Sequence, residues 1–146
     1  MTTLCAALPI PAIADDTSAG AYQSYTVKNH AIDAPLGGLK GHPARGRKLA
    51  INSAKGNCLA CHKLPIPEEE FHGEVGPSLY GLANRLNEGK IRLRIVNIQQ
   101  LIPFSLMPPM YMNPADLKQV AKKFQGQTVL TAQEVEDVVA YLMTLK

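Results

Sequence analysis

Cys58, Cys61 and His62 stand in the run Cys58-Leu59-Ala60-Cys61-His62, the most chemically specific stretch of the sequence. Two thiols three positions apart, directly after a helix-forming segment, can add across the two vinyl groups of one haem. The next residue then turns its imidazole toward the iron. Two other chemistries use a thiol pair of this spacing. A structural zinc needs four ligands, and with no second cysteine pair it would have to recruit His72 or a carboxylate. A dithiol oxidoreductase expects a strand before the motif and a sheet around it, and neither is visible. Haem attachment accounts for all three side chains.

An iron held by His62 on one side needs a sixth ligand or keeps an open site. Three of the five methionines, Met107, Met110 and Met112, crowd into the segment Pro103-Phe104-Ser105-Leu106-Met107-Pro108-Pro109-Met110-Tyr111-Met112. A single methionine usually fills a gap in a core, but the cluster points to ligation. A thioether is a neutral, soft ligand, so His/Met coordination raises the reduction potential and leaves no place for substrate. That is electron-transfer chemistry. Met107 is the expected ligand, because Pro108 restricts its backbone to extended conformations and Pro109 stiffens the chain beyond. Met110 and Met112 lie past that rigid pair, next to Asn113-Pro114, and are better placed to pack.

The elements that must position these residues are mostly helical. Pro43 opens a helical stretch over 44–55, closed by Gly56 and Asn57 in a left-handed turn. Residues 63–85 read as loop, with Pro65, Pro67 and Pro77 among Gly73, Gly76 and Gly81. Ile91, Ile95, Ile98 and Ile102 share one face of a helix over 90–102, which Pro103 stops. Asn113 and Pro114 start a helix in which Leu117, Val120, Ala121 and Phe124 recur at helical spacing as far as Gly126. Thr131-Ala132-Gln133-Glu134 is a capping box, and Val135, Val138, Val139 and Leu142 form the buried stripe of a final helix. The only strand-like run is 21–27, so an all-α fold of short helices and long loops is expected. Its parts are a leader remnant at 1–14, an extension at 15–43 that wraps the surface, and one domain at 44–146.

A chain of 146 residues supports one domain, and a large flat cofactor would replace the packing that scarce aromatics (5%) and absent tryptophan leave unfilled. The formal charge is +3. Its cations gather at 40–55 and 90–94, either as a solvated surface or as a docking patch for an acidic partner. No aromatics interleave with them and no groove-binding motif is present, which argues against nucleic acid. Residues 4–14 are apolar, end in Ala-x-Ala and precede Asp15-Asp16; they are too short for a membrane span, which takes about 20 residues. They read as the end of a secretory signal cut after Ala14, although its positive n-region is missing; a disordered apolar tail is the alternative. Cys5 falls within this leader, and the bulky Leu4 before it disfavours a lipid anchor.

The order of the blocks 56–62, Gly76-Pro77-Ser78-Leu79-Tyr80-Gly81, Met107-Pro108-Pro109 and 130–142 resembles class I c-type cytochromes. The wording of the methionine loop resembles the SoxX family, the mono-haem subunit of the SoxAX sulfur-oxidation complex. The likeness covers 44–146. It implies a class I cytochrome c fold around one covalent haem c, with Cys58 and Cys61 as attachment points and His62 and Met107 on the iron. Pro77 matches the proline whose carbonyl accepts a hydrogen bond from the ligating histidine, and Arg85 matches a position that often pairs with a haem propionate. Gly46 and Tyr141 match the pair at which first and last helices cross. The resemblance further implies a periplasmic protein in a heterodimer with a SoxA-like cytochrome. That partner would join thiosulfate to a carrier cysteine (L-cysteine S-thiosulfotransferase), while this chain passes electrons to an acceptor cytochrome. A free-standing haem enzyme with an open iron and a freely diffusing electron shuttle are the competing functions. The loop 63–73, with Glu68-Glu69-Glu70, is longer than in small cytochromes and has no assigned role.

Overall fold

A computed structural model describes residues 20–146. The leader at 1–14 and Cys5 lie outside the described residues. Four α-helices carry the fold: α1 (Pro43–Ile51), α2 (Leu82–Arg85), α3 (Glu88–Asn97) and α4 (Ala132–Leu142). Among the described residues the only β pairing is an isolated bridge between Lys28 and Ala31, so the expected all-α class holds. The strand-like run 21–27 has no strand partner. No helix among the described residues is long and apolar enough to cross a membrane.

α4 forms as its sequence dictates. Glu134 N–H donates to Thr131 Oγ1 at 3.2 Å and Thr131 N–H to Glu134 Oε2 at 2.8 Å, the reciprocal bonds of a capping box. Val135, Val138, Val139 and Leu142 are all buried. α1 crosses this helix where it has no side chain: a Cβ on Gly46 would collide with the Asp137 carbonyl and lie 2.9 Å from Tyr141 Cβ. The backbones can therefore touch only because position 46 is glycine.

Three helix expectations need correction. α1 ends at Ile51 rather than Lys55 because Asn52 turns out of the helix and its Oδ1 accepts from Ala54 N at 2.9 Å, a local bond that competes with the next helical turn. The left-handed residue then falls on Asn57 (φ 46°). α3 stops at Asn97, whose side chain accepts from Gln99 N; a 3₁₀ turn follows at Ile98–Gln100, and Ile102 is 56% exposed. The helix expected over 113–126 is absent. Asn113 caps one 3₁₀ turn, Pro114–Asp116, a second turn spans Lys122–Phe124, and the apolar stripe is poorly covered, with Leu117 and Val120 half-buried and Ala121 and Phe124 exposed. Without burial, propensity alone does not hold so short a helix. The segment read as loop over 63–85 closes with α2, which Gly81 starts from a left-handed conformation (φ 62°).

The N-terminal segment does more than wrap. Ile32 and Leu36 are buried in the common core, and Arg92 of α3, also fully buried, ties the segment down. Its Nε and Nη2 grip Glu136 of α4 at 2.8 and 2.9 Å, Nη1 donates to the Ile32 carbonyl at 2.7 Å, and Glu136 Oε1 accepts from Leu36 N at 2.9 Å. Every donor of the guanidinium is used, which is the condition for burying such a charge. Tyr22 stacks on Tyr111 with ring centroids 5.1 Å apart, and Gln23 N donates to the Tyr111 hydroxyl.

Candidate haem site

α1 delivers the chain to Asn57, whose left-handed backbone starts the 3₁₀ turn Cys58–Ala60. His62 N donates to the Cys58 carbonyl at 2.9 Å, which places the imidazole directly beyond the two thiols. His62 Nδ1 lies 2.7 Å from the Pro77 carbonyl. A carbonyl only accepts, so Nδ1 carries the proton and Nε2 keeps its lone pair for a metal. Gly76 fixes the ring from the other side: a Cβ there would overlap the imidazole. Gly76 N donates to the Cys61 carbonyl and Leu79 N to that of Lys63, so the 76–79 strap is stitched to the haem motif.

The loop 63–73 folds around His72. Its Nδ1 accepts from Leu64 N at 3.1 Å and its Nε2–H faces the carbonyls of Glu69 (3.0 Å) and Ile66 (3.2 Å). Both ring nitrogens are thus engaged within the loop, and His72 is not available as a zinc ligand beside the cysteines. Among the described residues, no group of three or more His, Cys, Asp and Glu side chains is placed to hold a metal ion. Burial pushes the Cys58 thiol up to about 11. Reactive dithiols show the opposite shift, so the exchange chemistry of an oxidoreductase is not supported either.

A mostly apolar cavity of about 510 Å³ opens beside His62. All six residues singled out from the sequence, Cys58, Cys61, His62, Pro77, Arg85 and Met107, line it. The Met107 backbone N donates to Ser105 Oγ at 3.2 Å. Met110 lines the cavity as well, but its backbone is pinned on both sides, with N donating to Ile95 O at 3.2 Å and O accepting from Leu130 N at 2.9 Å, and its side chain packs on the core. Met112 is not among the lining residues. Arg85 donates to the carbonyls of Ser78, Tyr80 and Gly81, bonds that hold it at the cavity wall. The volume, the apolar wall and one free imidazole nitrogen beside two thiols fit a covalently attached haem. Cys58, Cys61, His62 and Met107 would hold it.

The cytochrome c family model matches residues 43–146. The chain belongs to the cytochrome c family. It is similar to the crystal structure of SoxXA from P. pantotrophus, with a TM-score of 0.74 and 32% identity over 84% of this chain and 94% of that one. A search of curated proteins finds no match. A class I cytochrome resembling SoxX, with haem c as its cofactor, is therefore established at the level of family and fold. Two features of the cytochrome's interior escaped the sequence reading. Arg94 lines the cavity at a position inside the Ile91, Ile95, Ile98 stripe, and an arginine in an apolar face was the available signal. The Arg92–Glu136 pair joins residues 44 positions apart, and only the Glu88–Arg92 half of that network, spaced i, i+4, was visible locally.

Proposed function

We propose that this chain is the single-haem electron-transfer subunit of a periplasmic SoxAX-like complex, which receives electrons as a SoxA-like partner joins thiosulfate to a carrier cysteine and passes them to an acceptor cytochrome. The observation that carries the reading is the convergence of Cys58, Cys61, His62 and Met107 on one apolar cavity, in a chain 32% identical to a SoxXA structure over most of its length. Haem supplies a one-electron change at iron. The chain's own residues would govern it: His62 holds its proton on Nδ1 through Pro77 and so offers Nε2, Met107 would supply a thioether ligand, and the apolar wall would keep water away. An iron so ligated would bind no substrate, which is the chemistry of electron transfer rather than of a free-standing haem enzyme.

The rim supports a stable partner rather than free diffusion. Val75, Ile102 and Leu106 line the cavity yet are 68%, 56% and 84% exposed, and Phe104 beside them is 95% exposed. Exposed apolar side chains gathered at one cavity mouth are what an interface would cover. Sedimentation of the chain co-expressed with a SoxA-type cytochrome tests it: one species with both chains is expected. Two separate monomers would leave the shuttle reading instead. Ready binding of cyanide or carbon monoxide by the isolated protein would favour the open-iron enzyme.

A further inference from the structure

The methionine loop, 103–109, is held mainly at its two ends. Phe104 and Leu106 are 95% and 84% exposed, and Pro108 and Pro109 have no N–H to bond. The bonds from Ser105 N to the Ile102 carbonyl (3.0 Å) and from Met107 N to Ser105 Oγ (3.2 Å) are local. At the outgoing end Tyr111, 1% exposed, donates through its N–H to the Val96 carbonyl of α3 at 3.2 Å. At the incoming end stands Gln100, in the 3₁₀ turn that follows α3. The N-terminal segment reaches both ends. Tyr22 stacks on the Tyr111 ring with the planes 17° apart, and Gln23 N donates to the Tyr111 hydroxyl, which donates back to the Gln23 carbonyl at 3.3 Å. Tyr25 lies tilted against the same ring, centroids 6.5 Å apart, and its hydroxyl accepts from Gln100 Nε2 at 3.2 Å. Burial raises all three phenols above the ordinary tyrosine range, so each stays neutral.

We propose that residues 22–25 brace the methionine loop, with Tyr111 the positioning residue through which they would keep Met107 on the iron. This rests on the haem reading given above. The cytochrome c model matches 43–146, so the brace comes from a segment outside the matched domain. Swinging the loop away from the cavity must either draw Tyr111 out of its buried seat or bend the chain between Met107 and Tyr111. The two prolines there resist bending, and the tyrosine stack and the paired bonds to Gln23 oppose withdrawal. A weaker brace would let the thioether leave the iron more often, and an external ligand would then enter a position that is normally closed.

The test uses the ferric holoprotein of the full chain, its Tyr22→Ala, Tyr22→Phe and Tyr111→Phe variants, and Val135→Ala as a core change in α4 outside the cavity lining. The readout is the rate of cyanide binding at saturating cyanide, where departure of the methionine limits it. Tyr22→Ala should raise this limiting rate by roughly three- to tenfold, as loss of an aromatic pair implies. Tyr22→Phe, which keeps the stack, should match the wild type, and Tyr111→Phe, which loses the bonds to Gln23, should raise the rate. Val135→Ala should lower the urea midpoint and leave the rate unchanged. Should Tyr22→Ala give no holoprotein, Tyr111→Phe carries the test. A wild-type rate in either of these two variants would overturn the brace alone. So would a rise in Tyr22→Phe or Val135→Ala equal to that in Tyr22→Ala. A wild type without covalent haem, or without the iron–methionine absorption band, would overturn the brace and the haem reading together.

Discussion

His62, Met107 and Tyr141 show how single residues are committed to one role. The bond from His62 Nδ1 to the Pro77 carbonyl selects the tautomer that leaves Nε2 free, so the ligand atom is chosen before any metal arrives. Met107 and Met110 both reach the cavity, but Met110 is held by α3 and by Leu130, whereas Met107 sits ahead of two prolines that fix its direction. Met107→Ala should lose the sulfur-to-iron absorption band and bind cyanide, while Met110→Ala should keep the band; the reverse pattern would transfer the ligand role to Met110. Tyr141 is buried against α1, with a hydroxyl that has no hydrogen-bond partner among the described residues. An unsatisfied buried hydroxyl costs about 1–3 kcal/mol. Tyr141→Phe should therefore unfold at an equal or higher urea midpoint, and a clear fall would mean that the hydroxyl does have a partner.

At the scale of elements, what could be read in advance follows from how local its cause is. The capping box and stripe of α4 lie within twelve residues, and both formed as expected. The stripe at 117–124 had the same spacing, but a stripe makes a helix only where another surface covers it, and here none of its four residues is fully buried. The early ends of α1 and α3 came from Asn52 and Asn97, whose side chains bond to backbone N–H groups two residues on and outcompete continuation. The haem motif and its methionine loop were legible because each is coded by consecutive residues. The buried Arg92–Glu136 pair was not, because it depends on how α3 meets α4. Arg92→Met leaves Glu136 buried and unpaired, so it should cost about 3–5 kcal/mol in urea unfolding, whereas Arg92→Met with Glu136→Leu should cost less than the two single changes added together. Additive costs would show that the pair is not coupled.

Across the whole molecule, the haem motif, the strap at 75–79, α2, α3, the methionine loop and α4 close around one cavity, and haem would complete its packing in a chain poor in aromatic residues. Val75, Ile102 and Leu106 line the cavity and stay exposed, so a haem held there would be approachable by a partner on that side. Attachment is the claim on which ligation, potential and partnership all depend. The most direct measurement is intact and peptide mass spectrometry of protein made in a host that matures c-type cytochromes. The expected result is the mass of one haem, carried on the peptide that contains Cys58 and Cys61, resistant to acid–acetone extraction and lost in the Cys58→Ser, Cys61→Ser variant. An unmodified peptide with two free thiols, or haem that survives the double substitution, would contradict it.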